Sequence, residues 1–190
     1  MKQKRKSELF RSVIIVVIAF LTTLAATWPP DEVPFVPTPI EVVDRMLEMA
    51  EVKKGDVIYD LGSGDGRIVI RAAKKYGARG VGIEMDSWLV EAARAKAKEE
   101  GVDELVEFRV EDAAKTDISG ATVITLYMLP WFNEMMKPKF HAELKRGARI
   151  VSHDYGIEGW PPYKTEVFPV GEKRAEGFTH YHLLFLWRIK

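Results

Sequence analysis

The run YDLGSGDG, Tyr59 to Gly66, sets glycines at 62, 64 and 66 behind an acid, Asp60. Lacking Cβ atoms, such a bend turns sharply and lets a ligand lie against the backbone. The spacing differs from the G-x-G-x-x-G pattern that brings a pyrophosphate onto a helix N-terminus. An acid just before the turn suits a cationic ligand better than a phosphate. Glu84 follows Gly64 by 20 residues, with Met85 next to it. A carboxylate there can accept hydrogen bonds from both hydroxyls of a ribose. Asp112 could accept an adenine amino group, with Ala113 as a backbone donor and Glu111 as the adjacent alternative.

These residues need strand ends to hold them. DVIYDLG (56–62) reads as a buried strand running into the glycines, and a helix follows from about Arg67 to Tyr76. RGVGIEM (79–85) is a second strand, and Asp86 or Ser87 can cap a helix that Gly101 stops. VEFRVED (106–112), ATVITLY (121–127) and ARIVSHD (148–154) are further strands, with a mostly helical stretch from Pro130 to Leu144. Asp60, Glu84 and Asp112 then stand at three successive strand ends, where open α/β sheets bind ligands. YKTEVFPV (163–170) and HYHLLFLWRI (180–189) are separated by a short turn region and should pair antiparallel. GIEGWPP is too short for a crossover helix. The expected fold is α/β: a doubly wound, mostly parallel sheet with an antiparallel C-terminal hairpin. That layout resembles the Rossmann-like Class I methyltransferases. The glycine run behind Asp60 resembles their S-adenosylmethionine (AdoMet) motif, whose ligand carries a cationic sulfonium and no phosphate.

Composition narrows the chemistry further. The chain has 190 residues and no cysteine, which excludes a disulfide framework, Cys-ligated zinc, iron–sulfur clusters and a thiol nucleophile. Residues 1–30 hold five basic groups and one acid, so the rest holds 23 basic against 27 acidic groups (28 − 5 and 28 − 1). A body near −4 lacks the cationic footprint of broad nucleic-acid binding, and no nucleic-acid partner is expected.

Ser12 to Trp28 is uncharged and follows the basic residues Lys2 to Arg11. As a helix it would span roughly 26 Å, near the lower limit for a hydrocarbon core. The expected organisation is a basic N-terminus with a membrane-anchor helix over 1–28, a proline-rich segment over 29–39, and a catalytic domain over 40–190. A cleaved signal peptide and a buried core helix are alternatives for the first part. Positive residues favour the cytoplasmic side, which would send the body across the membrane, whereas AdoMet chemistry requires the cytoplasmic side for the body itself. Membrane association with the catalytic domain facing AdoMet is the expectation, and the orientation stays open.

Four stretches together resemble the small lysine-specific protein methyltransferases of archaea and mitochondria. They are VPFVPTPIEVVDRML (33–47), YDLGSGDGRIVI (59–70), TLYMLPWFNEMMKPKF (125–140) and ARIVSHDY (148–155). The mitochondrial members act on the adenine nucleotide translocase and on the ATP synthase c-subunit. The resemblance implies AdoMet as cofactor, no metal, and a protein partner, membrane proteins included, methylated on lysine. Asp60, Gly62, Ser63, Gly64 and Gly66 would hold the methionine part, Glu84 the ribose and Asp112 the adenine. Thr38, within Pro37-Thr38-Pro39, would lie over the cofactor and make the proline-rich segment part of the site.

One departure bears on catalysis. Many amino-methyltransferases carry Asn or Asp before Pro-Pro-Tyr after the fourth strand; here Leu126-Tyr127-Met128-Leu129-Pro130 takes that place. Tyr127 could orient the acceptor nitrogen or be a core tyrosine. His153 and Asp154, at the fifth strand's end, could orient the acceptor, relay its proton or make a structural hydrogen bond. Trp131, Phe132, Tyr155 and Trp160 are rim or core aromatics. A methyltransferase for a lipophilic small molecule and a catalytically silent AdoMet-binding module are the alternatives to a protein-lysine enzyme.

Overall fold

The computed structural model describes residues 35–171 and 180–190. The basic N-terminus, the uncharged run to Trp28 and the first part of the proline-rich segment lie outside the described residues, and with them the expected anchor helix. Among the described residues no helix is long and apolar enough to cross a membrane.

Pro39 fixes the backbone ahead of helix α1 (Ile40–Met49), whose Val42, Val43, Met46, Leu47 and Met49 recur at helical spacing and are all buried. Strand β1 (Val57–Leu61) feeds the glycine bend, and α2 (Arg67–Tyr76) follows. Then come β2 (Arg79–Glu84), α3 (Ser87–Glu99), β3 (Val106–Val110) and β4 (Val123–Leu126). Helix α4 (Pro130–Glu143), β5 (Arg149–His153), β6 (Lys164–Val170) and β7 (His180–Arg188) complete the described chain. Asp86 caps α3, accepting the Trp88 N–H at 2.8 Å.

The seven strands form one sheet in the order β3-β2-β1-β4-β5-β7-β6. The first five are parallel, and β7 runs antiparallel between β5 and β6. No helix separates β5 from β6, as the short GIEGWPP link requires. The register puts Asp60 beside Gly82 on one side and Thr125 on the other, and Leu126 beside Ser152. All five parallel tips therefore open on one edge. A core under α1, α2 and α3 fills one face, and a second core around Ile124, Phe140 and Trp187 fills the other. A buried ion pair stands at the opposite edge of the sheet. Arg149 bonds Asp56, and its guanidinium also donates to the carbonyls of Ala50 (2.9 Å) and Glu51 (3.1 Å).

Candidate active site

Asp60 sits on a central strand between two neighbours and is 1% exposed. Its Oδ1 accepts the Thr125 hydroxyl at 2.6 Å, and its Oδ2 is buried without a partner. Burial, with the nearby acids Glu84 and Asp65, pushes its carboxyl up to about 7 against the pull of the Thr125 bond. A cationic group reaching Oδ2 would repay that desolvation. Ser63 Oγ is likewise buried without a partner.

Beyond Asp60 the chain turns away. The N–H groups of Gly62 and Ser63 both donate to the Ile83 carbonyl at 2.9 Å. Gly64 and Gly66 lie in the left-handed region, at φ 52° and 74°. A Cβ at Gly66 would fall 2.5 Å from the Phe108 ring and 2.9 Å from Ala93, so this glycine lets the bend seat on α3 and β3. The ring of Phe35 covers Gly64, and the sulfur of Met128 would lie 2.5 Å from a Cβ on Gly62.

Glu84 holds the bend from the next strand. Its Oε2 accepts the Gly64 N–H at 2.9 Å, while Oε1 accepts the N–H groups of Met85 (2.8 Å) and Asp86 (3.0 Å). Both oxygens thus have structural work besides any ribose, and each keeps lone-pair capacity. Met85 is 71% exposed at that tip. Strand β3 ends at Val110, so Asp112 lies in the turn beyond it, not at the strand end. Its Oδ1 accepts from the N–H of Ala114 at 3.0 Å, and Lys115 approaches Oδ2 at 3.0 Å. Ala113 is buried beside it.

The segment 35–39 crosses this edge as a strap. Thr38 is 4% exposed; its carbonyl accepts from Arg67 at 2.9 Å and its Oγ1 meets His153 Nδ1 at 3.3 Å. Arg67 also grips Asp65 through two bonds, at 2.8 and 2.9 Å. Together with Lys96, it holds the Asp65 carboxyl down at about 2 despite partial burial.

Tyr127 follows β4 and packs its ring 4.0 Å from that of His153 and 6.2 Å from Tyr155. Burial, then Asp154 and Tyr155, raises its hydroxyl above the ordinary value. His153 is fully buried, and its Nε2 lies 2.8 Å from His182 Nδ1. Asp154 adopts φ 59°, rare for a residue with a side chain, and Leu183 pins it on both sides. Phe132 and Trp160 join the second core, whereas Trp131 is exposed and Tyr155 stacks on Tyr127.

The expected residues therefore gather along one edge, apart from the small displacement of Asp112. Sequence reasoning missed Arg67, Met128, Asn133 and His182. Asn133 is fully buried and donates to Ser152 Oγ and to the Tyr155 and Gly156 carbonyls at 3.3–3.4 Å, shaping the turn after β5. Arg67, Met128 and Asn133 fall within the family-like stretches, which signalled the region without singling out these residues, and His182 lies outside all four.

This sheet order, with a glycine bend under an unpartnered buried acid and a carboxylate on the neighbouring tip, defines a Class I AdoMet-dependent methyltransferase. The donors fit the cofactor: Asp60 Oδ2 lacks a cation, and the bend leaves no room for side chains. Comparison with known proteins supplies the family. Residues 60–164 match the model of the ANTKMT methyltransferase domain, and the chain belongs to that family. A protein-lysine N-methyltransferase of Saccharolobus islandicus is 47% identical over 131 residues, 68% of this chain and 81% of that protein. The human ATP synthase C-subunit lysine N-methyltransferase is 31% identical over 163 residues, covering 79% of this chain and 69% of that one. A crystal structure described as an RNA methyltransferase from Salinibacter ruber, bound to S-adenosylhomocysteine, is 52% identical. It superposes with a TM-score of 0.73 over 81% of this chain and 94% of that chain.

Proposed function

We propose that this protein transfers methyl groups from AdoMet to lysine side chains of proteins, membrane-associated proteins among them. The observation that carries the reading is Asp60, buried with a free Oδ2 beneath a glycine bend and strap. The lysine acceptor comes from the named activity of the Saccharolobus and human relatives, and the membrane-protein target from the human one. The uncharged run from Ser12 to Trp28 supports membrane association, with the catalytic domain on the AdoMet-containing side.

In this reading Asp60, Gly62, Ser63, Gly64 and Gly66 hold the methionine part, Glu84 and Met85 the ribose side, and Asp112 with Ala113 the adenine. Thr38 closes over the top. Bound AdoMet supplies a methyl group on a sulfonium, ready for displacement by a neutral amine. The protein's own tasks are to align that amine and free its lone pair. Tyr127 orients the acceptor nitrogen at the mouth between β4 and β5. The half-buried aromatic wall of Tyr127 and Tyr155 disfavours the ammonium form and eases its deprotonation. Asp154 and His153 take part in moving that proton.

Labelled AdoMet incubated with the protein and a membrane-protein fraction should place label on lysines, read as methyl-sized mass shifts on tryptic peptides. The Salinibacter structure's description supports RNA as a second acceptor, but the acidic body lacks a phosphate-binding footprint. Label on RNA or lipid extracts with none on protein would overturn the reading. Protease protection of the tagged domain in sealed vesicles tests the side of the membrane.

A further inference from the structure

We infer that His182 is the outer station of a proton path that starts at Thr38, runs through His153 and ends at the protein surface. It rests on the protein-lysine reading above. No motif marks His182, which the antiparallel insertion of β7 beside β5 brings to the site.

Both nitrogens of His153 are engaged. Nδ1 faces Thr38 Oγ1 at 3.3 Å, and Nε2 faces His182 Nδ1 at 2.8 Å. His153 has no exposure, while the His182 side chain keeps 16%, so the pair leads from the buried strap to water. Asp154 Oδ2 stands 3.2 Å from His153 Nε2 and 3.5 Å from His182 Nδ1, beside the junction where positive charge would pass. The left-handed backbone of Asp154, pinned by Leu183 at 2.7 and 2.9 Å, holds it there. Burial keeps His153 down at about 4, so a proton arriving there is passed on instead of kept. Of the other titratable or charged groups, Tyr127 packs on His153 and Tyr155 on Tyr127, Arg67 donates to the Thr38 carbonyl, and Glu166 on β6 is held by Arg45 and Lys164.

The transfer balances without a redox partner. The lysine ammonium gives one proton to Thr38 Oγ1 as the hydroxyl's own proton moves to His153 Nδ1. The Nε2 proton of His153 moves to His182 Nδ1, and the Nε2 proton of His182 leaves to water. The amine lone pair is thereby freed for attack.

The test uses the full chain, tritiated AdoMet and a detergent-solubilised membrane-protein fraction, with initial rates taken from about pH 6 to about 9.5. His182→Ala should slow transfer about tenfold or more near pH 7. The deficit should narrow toward the highest pH, where more acceptor lysines arrive neutral. Added imidazole should restore part of the rate. His182→Gln should show the same pH-dependent deficit with wild-type AdoMet affinity and melting temperature, which separates the path from a folding defect. A deficit equal at every pH marks a structural role and overturns the proposal, as does a rate within about twofold of wild type near pH 7. The His153, Asp154 and His182 ligand atoms also lie within 4.8 Å of one another, so loss of activity on chelation and recovery with zinc would assign them to a metal and overturn it too. Wild-type protein that labels no lysine refutes the functional reading itself; wild-type labelling with an unaffected variant refutes this path alone.

Discussion

Oε2 of Glu84 accepts the backbone N–H of Gly64 at 2.9 Å, tying the tip of β2 to the glycine bend after β1. The same carboxylate is the candidate for the ribose hydroxyls, so in the proposed complex one side chain would both shape the bend and face the ligand. Glu84→Ala should weaken AdoMet binding by about 1.5–3 kcal/mol, the scale of a charge-assisted hydrogen bond. Titration calorimetry reads this directly, and unchanged affinity would refute the ribose role.

If Asp60 holds the cationic end of AdoMet as proposed, AdoMet affinity should depend on pH. Below about 7 its carboxyl carries a proton and offers no charge to a cation. Affinity should rise as pH passes upward through that value, and Asp60→Asn should bind weakly with a flat profile. Stability of the ligand-free protein should move the other way. An unfolded aspartate ionises near its ordinary 3.8, the folded one near 7, so between those values the folded state holds the extra proton and loses stability as pH rises. Melting curves at pH 5 and 8 should show the loss, and Asp60→Asn should reduce it.

Gly64→Arg should abolish AdoMet binding. The position is left-handed, and any Cβ would run into the Phe35 ring of the strap. A dissociation constant like that of the wild type would contradict this geometry.

Asp56 and Arg149 are a test of stability apart from the site. Both side chains are at least 90% buried, and Asp56→Ala strands the guanidinium among backbone carbonyls. The cost should be about 3–5 kcal/mol in denaturant unfolding, the range for breaking a buried pair. Affinity for AdoMet at low temperature should stay near wild type, because the pair lies at the far edge of the sheet.

Tyr127→Phe keeps the ring against His153, 4.0 Å away, and removes the hydroxyl. Transfer should slow by about tenfold or more while AdoMet affinity holds, if the hydroxyl orients the acceptor nitrogen. Equal single-turnover rates would return Tyr127 to a packing role.

The alternation of apolar strands with amphipathic helices was enough to specify a doubly wound sheet, because burial on both faces imposes that pattern locally. The glycine spacing with Asp60, and Glu84 one strand later, were legible for the same reason: local backbone geometry places strand-end residues on one edge. Other relationships needed the whole fold. The ladder from β5 to β7 sets His182 against a histidine 29 residues earlier in the chain, and sequence spacing carries no trace of that contact. Arg67 looked like an ordinary helix-start residue until the strap laid Thr38 across it. Phe132 and Trp160 could not be sorted from Trp131 and Tyr155 by type, since burial of an aromatic ring depends on what packs over it. Local pattern determined the frame; contacts between distant segments decided which polar groups meet inside it.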